Sequence, residues 1–153
     1  MVGDTGDERL ARQQGTSGHR ALPHTADVRI EAWGPSRERC LAEAVLGLVE
    51  CFADITGVHP TAVAHVEMDE NSDDELLTAL LDEVVYRLEV HGQIPVDVEA
   101  EANEDDGGLA VRLAVTDLDA VEITGAPPKG VSWHQLHVGP DAYGWSCAVT
   151  VDV

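Results

Sequence analysis

The segment from Ser72 to Gly92 constrains the fold most, because its features together predict one long buried helix. Ser72 and Glu75 form the S-x-x-E pattern of a capping box, and Gly92 stands where a left-handed residue ends many helices. Between them, apolar residues recur at helical spacing: Leu76, Leu77, Leu80, Leu81, Val84, Val85 and Leu88. A stripe this broad needs a second apolar layer to pack against.

A second helix is predicted from Ser36, its N-cap, to about Phe52. Its stripe has spacings of 4, 3 and 4 residues: Leu41, Val45, Leu48 and Phe52. Elsewhere apolar and polar residues tend to alternate, which predicts about six strands with one further short strand near 121–123. These strands cover 27–33, 61–68, 96–102, 109–115, 131–138 and 145–153, with a hairpin turn at 103–108.

Two helices cannot cover both faces of about six strands, so the pattern predicts an α+β fold. We expect a two-layer sandwich in which a mixed sheet of about six strands carries both helices on one face. The length of 153 residues fits one domain, which we place at 19–153 behind a flexible N-terminal lead at 1–18.

The charge of the chain excludes several classes of function. It has 9 Lys and Arg against 29 Asp and Glu, a formal net charge of −20. A surface this negative disfavours autonomous binding to DNA or RNA and docking on anionic membranes. A well-solvated acidic surface remains open, as does a soluble domain that binds cations, basic proteins or neutral small molecules.

The cysteines and the N-terminus predict a cytoplasmic protein. Residues 1–18 lack the apolar core of a signal peptide, and no segment approaches the roughly 20 apolar residues of a membrane span. Cys40 and Cys51 lie on one helix about 16 Å apart, too far for a disulfide, and Cys147 lies in a separate strand. We expect three reduced thiols.

Familiar catalytic motifs are weak here. His134 and His137 are three residues apart in a predicted strand and so point to opposite faces, which argues against a zinc site. The segment 144–148 resembles a nucleophile elbow only faintly, because the final glycine is missing and no helix follows.

A quieter candidate site lies at two strand ends. By parity, Asp27 lies opposite the core-facing Val28, and Asp152 lies opposite Val151. If the first and last strands are neighbours, both carboxylates share the non-core face, beside the carboxylate of Val153. Such oxygen donors suit calcium, magnesium or manganese. The alternative is two ordinary exposed aspartates.

Lys129, within Pro127-Pro128-Lys129-Gly130, is the only lysine. In so acidic a chain it could simply neutralise a neighbouring carboxylate. The functional alternative is a contact to a phosphate or to a carboxylate of a partner. The spacing leaves both open.

Four segments together resemble the archease family. They are His24-Thr25-Ala26-Asp27-Val28, the helix with Asp82-Glu83-Val84-Val85-Tyr86, Lys129-Gly130-Val131-Ser132-Trp133-His134, and the final Val149-Thr150-Val151-Asp152-Val153. They occur in the family's order over roughly residues 20–153. Three positions depart from its pattern: Pro23 replaces an acid, Arg29 a glycine and Asp82 an asparagine.

The resemblance implies a cytoplasmic accessory protein that activates RNA ligases of the RtcB type in tRNA splicing and RNA repair. Such a protein promotes guanylylation of the ligase and its multiple turnover, with GTP acting through the ligase. Carried over by position, a divalent metal, calcium by resemblance, is held by Asp27, Asp152 and Val153. Lys129 is the family's functional lysine, and His24 opens the signature. Arg29, on the face of Asp27, could compete with the cation for its carboxylate.

Two other functions remain open from the sequence. One is an acidic cation-binding or chaperone-like module that has no ligase specificity. The other is a metal-dependent hydrolase, for which His24 is the candidate general base.

Overall fold

The computed structural model describes residues 4–23, 26–103 and 107–153, which form three α-helices and nine strands. The helices are α1 (Asp4–Gln13), α2 (Arg37–Glu50) and α3 (Asp73–Tyr86). The strands are β1 (Gly18–Pro23), β2 (Asp27–Gly34), β3 (Ala53–Asp54), β4 (Ala62–Met68), β5 (Gln93–Ala102), β6 (Leu109–Asp117), β7 (Glu122–Ile123), β8 (Gly130–Asp141) and β9 (Gly144–Asp152).

The strands form three sheets. The largest has the order β1-β2-β9-β8, the second β4-β6-β5, and the smallest pairs β3 with β7. Every strand pair among the described residues is antiparallel. The α+β class is therefore confirmed, whereas the single mixed sheet of about six strands is replaced by separate antiparallel sheets. Three of these pairs, β1–β2, β5–β6 and β8–β9, join consecutive strands, and connections that short permit antiparallel pairing alone.

Both predicted helices are present with their N-caps. The Ser36 hydroxyl accepts the Arg39 N–H at 3.1 Å, and the Ser72 hydroxyl accepts the Glu75 N–H at 3.2 Å. After α3 the helix continues for one π-helical turn, Arg87–His91. It ends at Gly92, which has φ 60°. Serine caps typically contribute about 1 kcal/mol to helix stability.

The core lies between the helices and the inner faces of the two larger sheets. Helix α2 packs against β2, β5 and β9, while α3 packs against β8 and β4. The inward faces of β2 and β9 follow the predicted parity. Val28 is half-buried against the core, and the other inward residues are buried: Ile30, Ala32, Cys147, Val149 and Val151. The outer faces of β2 and β9 are thereby free to carry polar groups.

The N-terminal segment differs from the flexible lead expected over 1–18, because α1 begins at Asp4. Its Arg12 guanidinium donates to both carboxylate oxygens of Asp141, at 2.7 and 2.6 Å. Glu8 forms an ion pair with Arg20, with 2.5 Å between Oε1 and the guanidinium nitrogen. Asp141 is distant from α1 in sequence, and Arg20 lies on β1, a strand that was not predicted. The local sequence pattern therefore gives no signal for α1.

Two strands are less regular than alternation predicts. β5 begins before Pro95 and its register shifts between Pro95 and Asp97. β8 loses register with β9 between Ser132 and His137, where Gln135 has φ 56°. Of the predicted hairpin at 103–108, residues 104–106 lie outside the described part of the chain.

The cysteines are free thiols, with Cys40 and Cys147 buried and Cys51 half-buried. Within the described ranges, the structure has no helix long and apolar enough to cross a membrane.

His19 joins β1 to α2 through two carboxylates. Its Nδ1 lies 2.7 Å from Glu43 Oε1, and its Nε2 contacts Glu50. The hydrogen bond with Glu43 raises the pKa of His19 above 6.5, and Glu50 adds to the rise against the opposing effect of burial. The imidazolium therefore stabilises the fold fully below the unfolded pKa, and this stabilisation is lost as pH rises through the higher folded pKa.

As pH rises above 6.5, we expect the free energy of unfolding to fall more steeply in the wild type than in His19→Gln. Denaturant unfolding at a series of pH values measures the difference. His65→Gln, an exposed histidine on β4, is the matched control and should follow the wild type. Parallel curves for wild type and His19→Gln would contradict the assignment.

Candidate metal centre

The sheet brings the two predicted aspartates directly opposite each other. β2 and β9 are antiparallel neighbours, and their register pairs Asp27 with Asp152. Both residues lie on the outer face, as parity predicts, with Asp27 half-buried and Asp152 exposed. This adjacency, which the sequence analysis had to assume, is confirmed.

The type of pairing brings the two side chains close. The Val153 N–H donates to the Ala26 carbonyl at 3.3 Å, so the residues flanking the pair make the hydrogen bond. Asp27 and Asp152 therefore form a non-hydrogen-bonded pair, the type with the shorter separation of about 4.5 Å between Cα atoms. Like charges placed directly opposite destabilise a strand pair.

The structure gives neither carboxylate a direct partner among the described residues. No side chain there forms an ion pair or hydrogen bond with either carboxylate. Arg29, which could have competed for Asp27, instead donates to Thr150 Oγ1 at 3.3 Å and to the Gln135 carbonyl at 2.9 Å.

The donor set fits a hard divalent cation. Two facing carboxylates supply anionic oxygen, and a main-chain oxygen of Val153 is adjacent in sequence. No cluster of three or more His, Cys, Asp or Glu side chains suited to a metal occurs in residues 4–23, 26–103 and 107–153. Among the described residues, a cation at this pair would draw on these two side chains and on main-chain or water oxygens.

Lys129 lies beside the same strand end. Its backbone N–H donates to the Asp152 carbonyl at 2.7 Å, and its side chain is exposed. It forms no ion pair with any carboxylate of the described residues, so the structure does not support the simple role of neutralising a neighbour. The Asp27–Asp152 pair and Lys129 are thus brought together, whereas His24 lies outside the described residues.

An apolar cleft of about 560 Å³, which sequence analysis missed, borders this site. Lys129 and Val153 form part of its wall, beside Phe52, Leu88, Leu118, Ile123 and Pro128. These residues come from distant segments, so no local pattern reveals the cleft. Ile123, in the short strand β7, is 50% exposed at this cleft.

The weaker motifs form no site. His137 contacts Ser146 at 3.3 Å, while His134 lies within the irregular part of β8. The segment that faintly resembles a nucleophile elbow lies in β9, with no helix after it.

Comparison with known proteins identifies the family of this chain. The model of the archease protein family (MTH1598/TM1083) matches residues 19–153. The probable protein archease of Mycobacterium tuberculosis is 45% identical over 138 residues, covering 90% of this chain and 76% of that protein. Protein archease of Archaeoglobus fulgidus is 26% identical over 135 residues, covering 88% and 98% respectively.

Two solved structures share the fold. The solution structure of Methanobacterium thermoautotrophicum protein 1598 matches with a TM-score of 0.74 at 20% identity, covering 89% of this chain and 99% of that one. The crystal structure of an archease, described as a possible chaperone, from Thermotoga maritima matches with a TM-score of 0.60 at 19% identity, covering 86% and 94%. With the family model matching 19–153, the chain belongs to the archease family.

Proposed function

We propose that this chain is a non-enzymatic activator of an RtcB-type RNA ligase in tRNA splicing or RNA repair. It promotes guanylylation of the ligase and lets each ligase molecule turn over repeatedly, with GTP acting through the ligase. Membership of the archease family supports this role. The chain's own geometry adds an acidic strand end suited to a cation.

The observation that carries the proposal is the facing pair of Asp27 and Asp152. A like-charge pair that has no ion-pair partner among the described residues costs stability at a strand end, so its presence favours a functional use. Asp27, Asp152 and an oxygen of Val153 hold the cation, calcium by resemblance, with magnesium and manganese also fitting the oxygen donors. When bound, the cation supplies positive charge to phosphoryl oxygens.

The remaining residues orient the partner's groups. Lys129 is beside Asp152 and exposed, so its ammonium reaches a phosphate or an acidic group of the ligase. The net charge of −20 draws the chain to the basic, phosphate-handling cleft of the ligase rather than to RNA itself. Association is therefore expected to slow as salt concentration rises.

The direct test is ligase guanylylation with purified components. We expect a substoichiometric amount of the chain, with GTP and manganese, to raise the rate of guanylylation and to sustain several rounds of RNA sealing. Repeating the assay at higher salt should lower the apparent on-rate. A ligase whose guanylylation and turnover are the same with and without the chain would contradict the proposal.

A second candidate is a chaperone-like module, favoured by the description of the Thermotoga maritima structure as a possible chaperone. It would suppress aggregation of unrelated client proteins, with no dependence on Asp27 or Asp152. Light scattering of a heated client, with wild type and with Asp152→Asn, separates the two functions. Equal protection by both variants, without any effect on the ligase, would favour the chaperone.

A further inference from the structure

Most cationic side chains of this acidic chain are neutralised by carboxylates. Of the nine Lys and Arg residues, five form ion pairs: Arg12, Arg20, Arg37, Arg87 and Arg112. The four that form no ion pair with a carboxylate of the described residues are Arg9, Arg29, Arg39 and Lys129. Two of these four, Arg29 and Lys129, flank the Asp27–Asp152 pair.

The guanidinium of Arg29 is held in place by neutral oxygens. It reaches across β9 to Thr150 Oγ1 at 3.3 Å and on to the Gln135 carbonyl of β8 at 2.9 Å. A guanidinium has five N–H donors, and these two contacts to described residues leave three for another acceptor. The group is half-buried and fixed across three strands, which reduces the entropy lost when it binds an anion.

The register places Arg29 next to the carboxylate pair on the same face of the sheet. Arg29 is two residues from Asp27 on the same strand face, about 7 Å along the strand. Lys129 lies on the other side of Asp152, immediately before β8. The charges of the two carboxylates and the two cationic side chains balance. A divalent cation therefore leaves this strand end positive, even with a carboxylate at Val153.

We propose that Arg29, together with Lys129, binds the phosphate chain of a cation–polyphosphate complex such as a nucleoside triphosphate. A ligand that contacts the cation site, Arg29 and Lys129 at once needs several anionic oxygens spread over more than one group. A polyphosphate has them, and a single carboxylate does not. A guanidinium can donate two parallel hydrogen bonds to a phosphate group. The N–H donors of Arg29 that contact no described residue suit this arrangement.

This inference rests on the cation site of the proposed function, but it concerns binding by the chain itself. It gives Arg29 a role in addition to its hydrogen bond to the Gln135 carbonyl of β8. It also makes cation and phosphate binding mutually reinforcing, because each ligand raises the affinity for the other by the same factor.

The test is isothermal titration calorimetry of the chain alone. Manganese, the 1:1 manganese–tripolyphosphate complex and the 1:1 manganese–GTP complex are each titrated into the wild type and its variants. We expect both complexes to bind more tightly than manganese alone. In Arg29→Gln we expect both complexes to bind about tenfold or more weakly, with manganese affinity unchanged or slightly higher. Arg29→Lys should lie between.

Arg9→Gln removes the same charge from an exposed arginine on α1 and should match the wild type. Thermal unfolding of each variant checks the fold, and Arg29→Lys keeps the test valid if Arg29→Gln is destabilised. The inference is overturned if the complexes bind no tighter than manganese alone, or if Arg29→Gln and Arg9→Gln bind them equally. Because no ligase is present, these results are independent of ligase stimulation, whose absence counts against the proposed function only.

Discussion

Replacing Asp27 or Asp152 by Asn is expected to weaken divalent-cation binding by at least about tenfold while leaving the cation-free protein as stable as the wild type or more stable. A carboxylate–cation contact near a protein surface is worth on the order of 4 kcal/mol, and Asn removes its charge. Without the cation, the same change relieves like-charge repulsion across a close strand pair, worth up to about 1 kcal/mol.

Weaker cation binding and relieved repulsion together predict that the order of stability of wild type and Asp27→Asn reverses when the cation is added. In chelator, Asp27→Asn should unfold at the same temperature as the wild type or higher. With calcium or manganese at about 100 times the dissociation constant, the wild type gains about 2.7 kcal/mol and becomes the more stable protein. Asp119→Asn, an exposed aspartate elsewhere, should respond to the cation like the wild type. A cation response that survives in Asp27→Asn and in Asp152→Asn would place the cation elsewhere.

Gly144→Ala is expected to destabilise the chain by about 3 kcal/mol or more. Gly144 turns the chain from β8 into β9 with φ 140°, a conformation that side-chain-bearing residues rarely adopt. A Cβ there would lie 2.5 Å from the Gly34 carbonyl oxygen and 3.1 Å from the Pro35 Cα. Both are backbone atoms at the end of β2, so neither can move without disturbing the β2–β9 pair that aligns the aspartates.

Gly139 is a matched control on the same hairpin. It pairs with Ser146, and a Cβ built on it meets no atom within 4 Å. Chemical denaturation should therefore give Gly139→Ala a midpoint close to that of the wild type and Gly144→Ala a much lower one. Similar midpoints for the two variants would show that the tight approach of β9 to Gly34 is not essential.

The local sequence pattern correctly predicted the elements that depend on residues a few positions apart. The caps at Ser36 and Ser72 and the left-handed end at Gly92 are read from short motifs, and each is present. The inward faces of β2 and β9 followed from alternation alone. Sheet count, antiparallel pairing, α1 and the register shifts in β5 and β8 depend on contacts between distant segments, so spacing along the chain could not give them.

The candidate site divides in the same way. Parity placed Asp27 and Asp152 on the outer face, but only the fold reveals that they oppose each other in a close pair. The contacts of Arg29 could not be predicted from sequence for the same reason. Its partners, Thr150 and the Gln135 carbonyl, lie more than 100 residues away, and the latter depends on an irregular strand.

The most direct measurement of the central claim is the rate of RtcB-type ligase guanylylation with the Asp27→Asn/Asp152→Asn double variant. The variant is compared with the wild type and with Asp119→Asn at equal concentration, after thermal unfolding has shown that all three are folded. We expect wild type and Asp119→Asn to accelerate guanylylation equally, and the double variant to leave the rate at that of the ligase alone. Full acceleration by the folded double variant would contradict the claim that the facing aspartates activate the ligase.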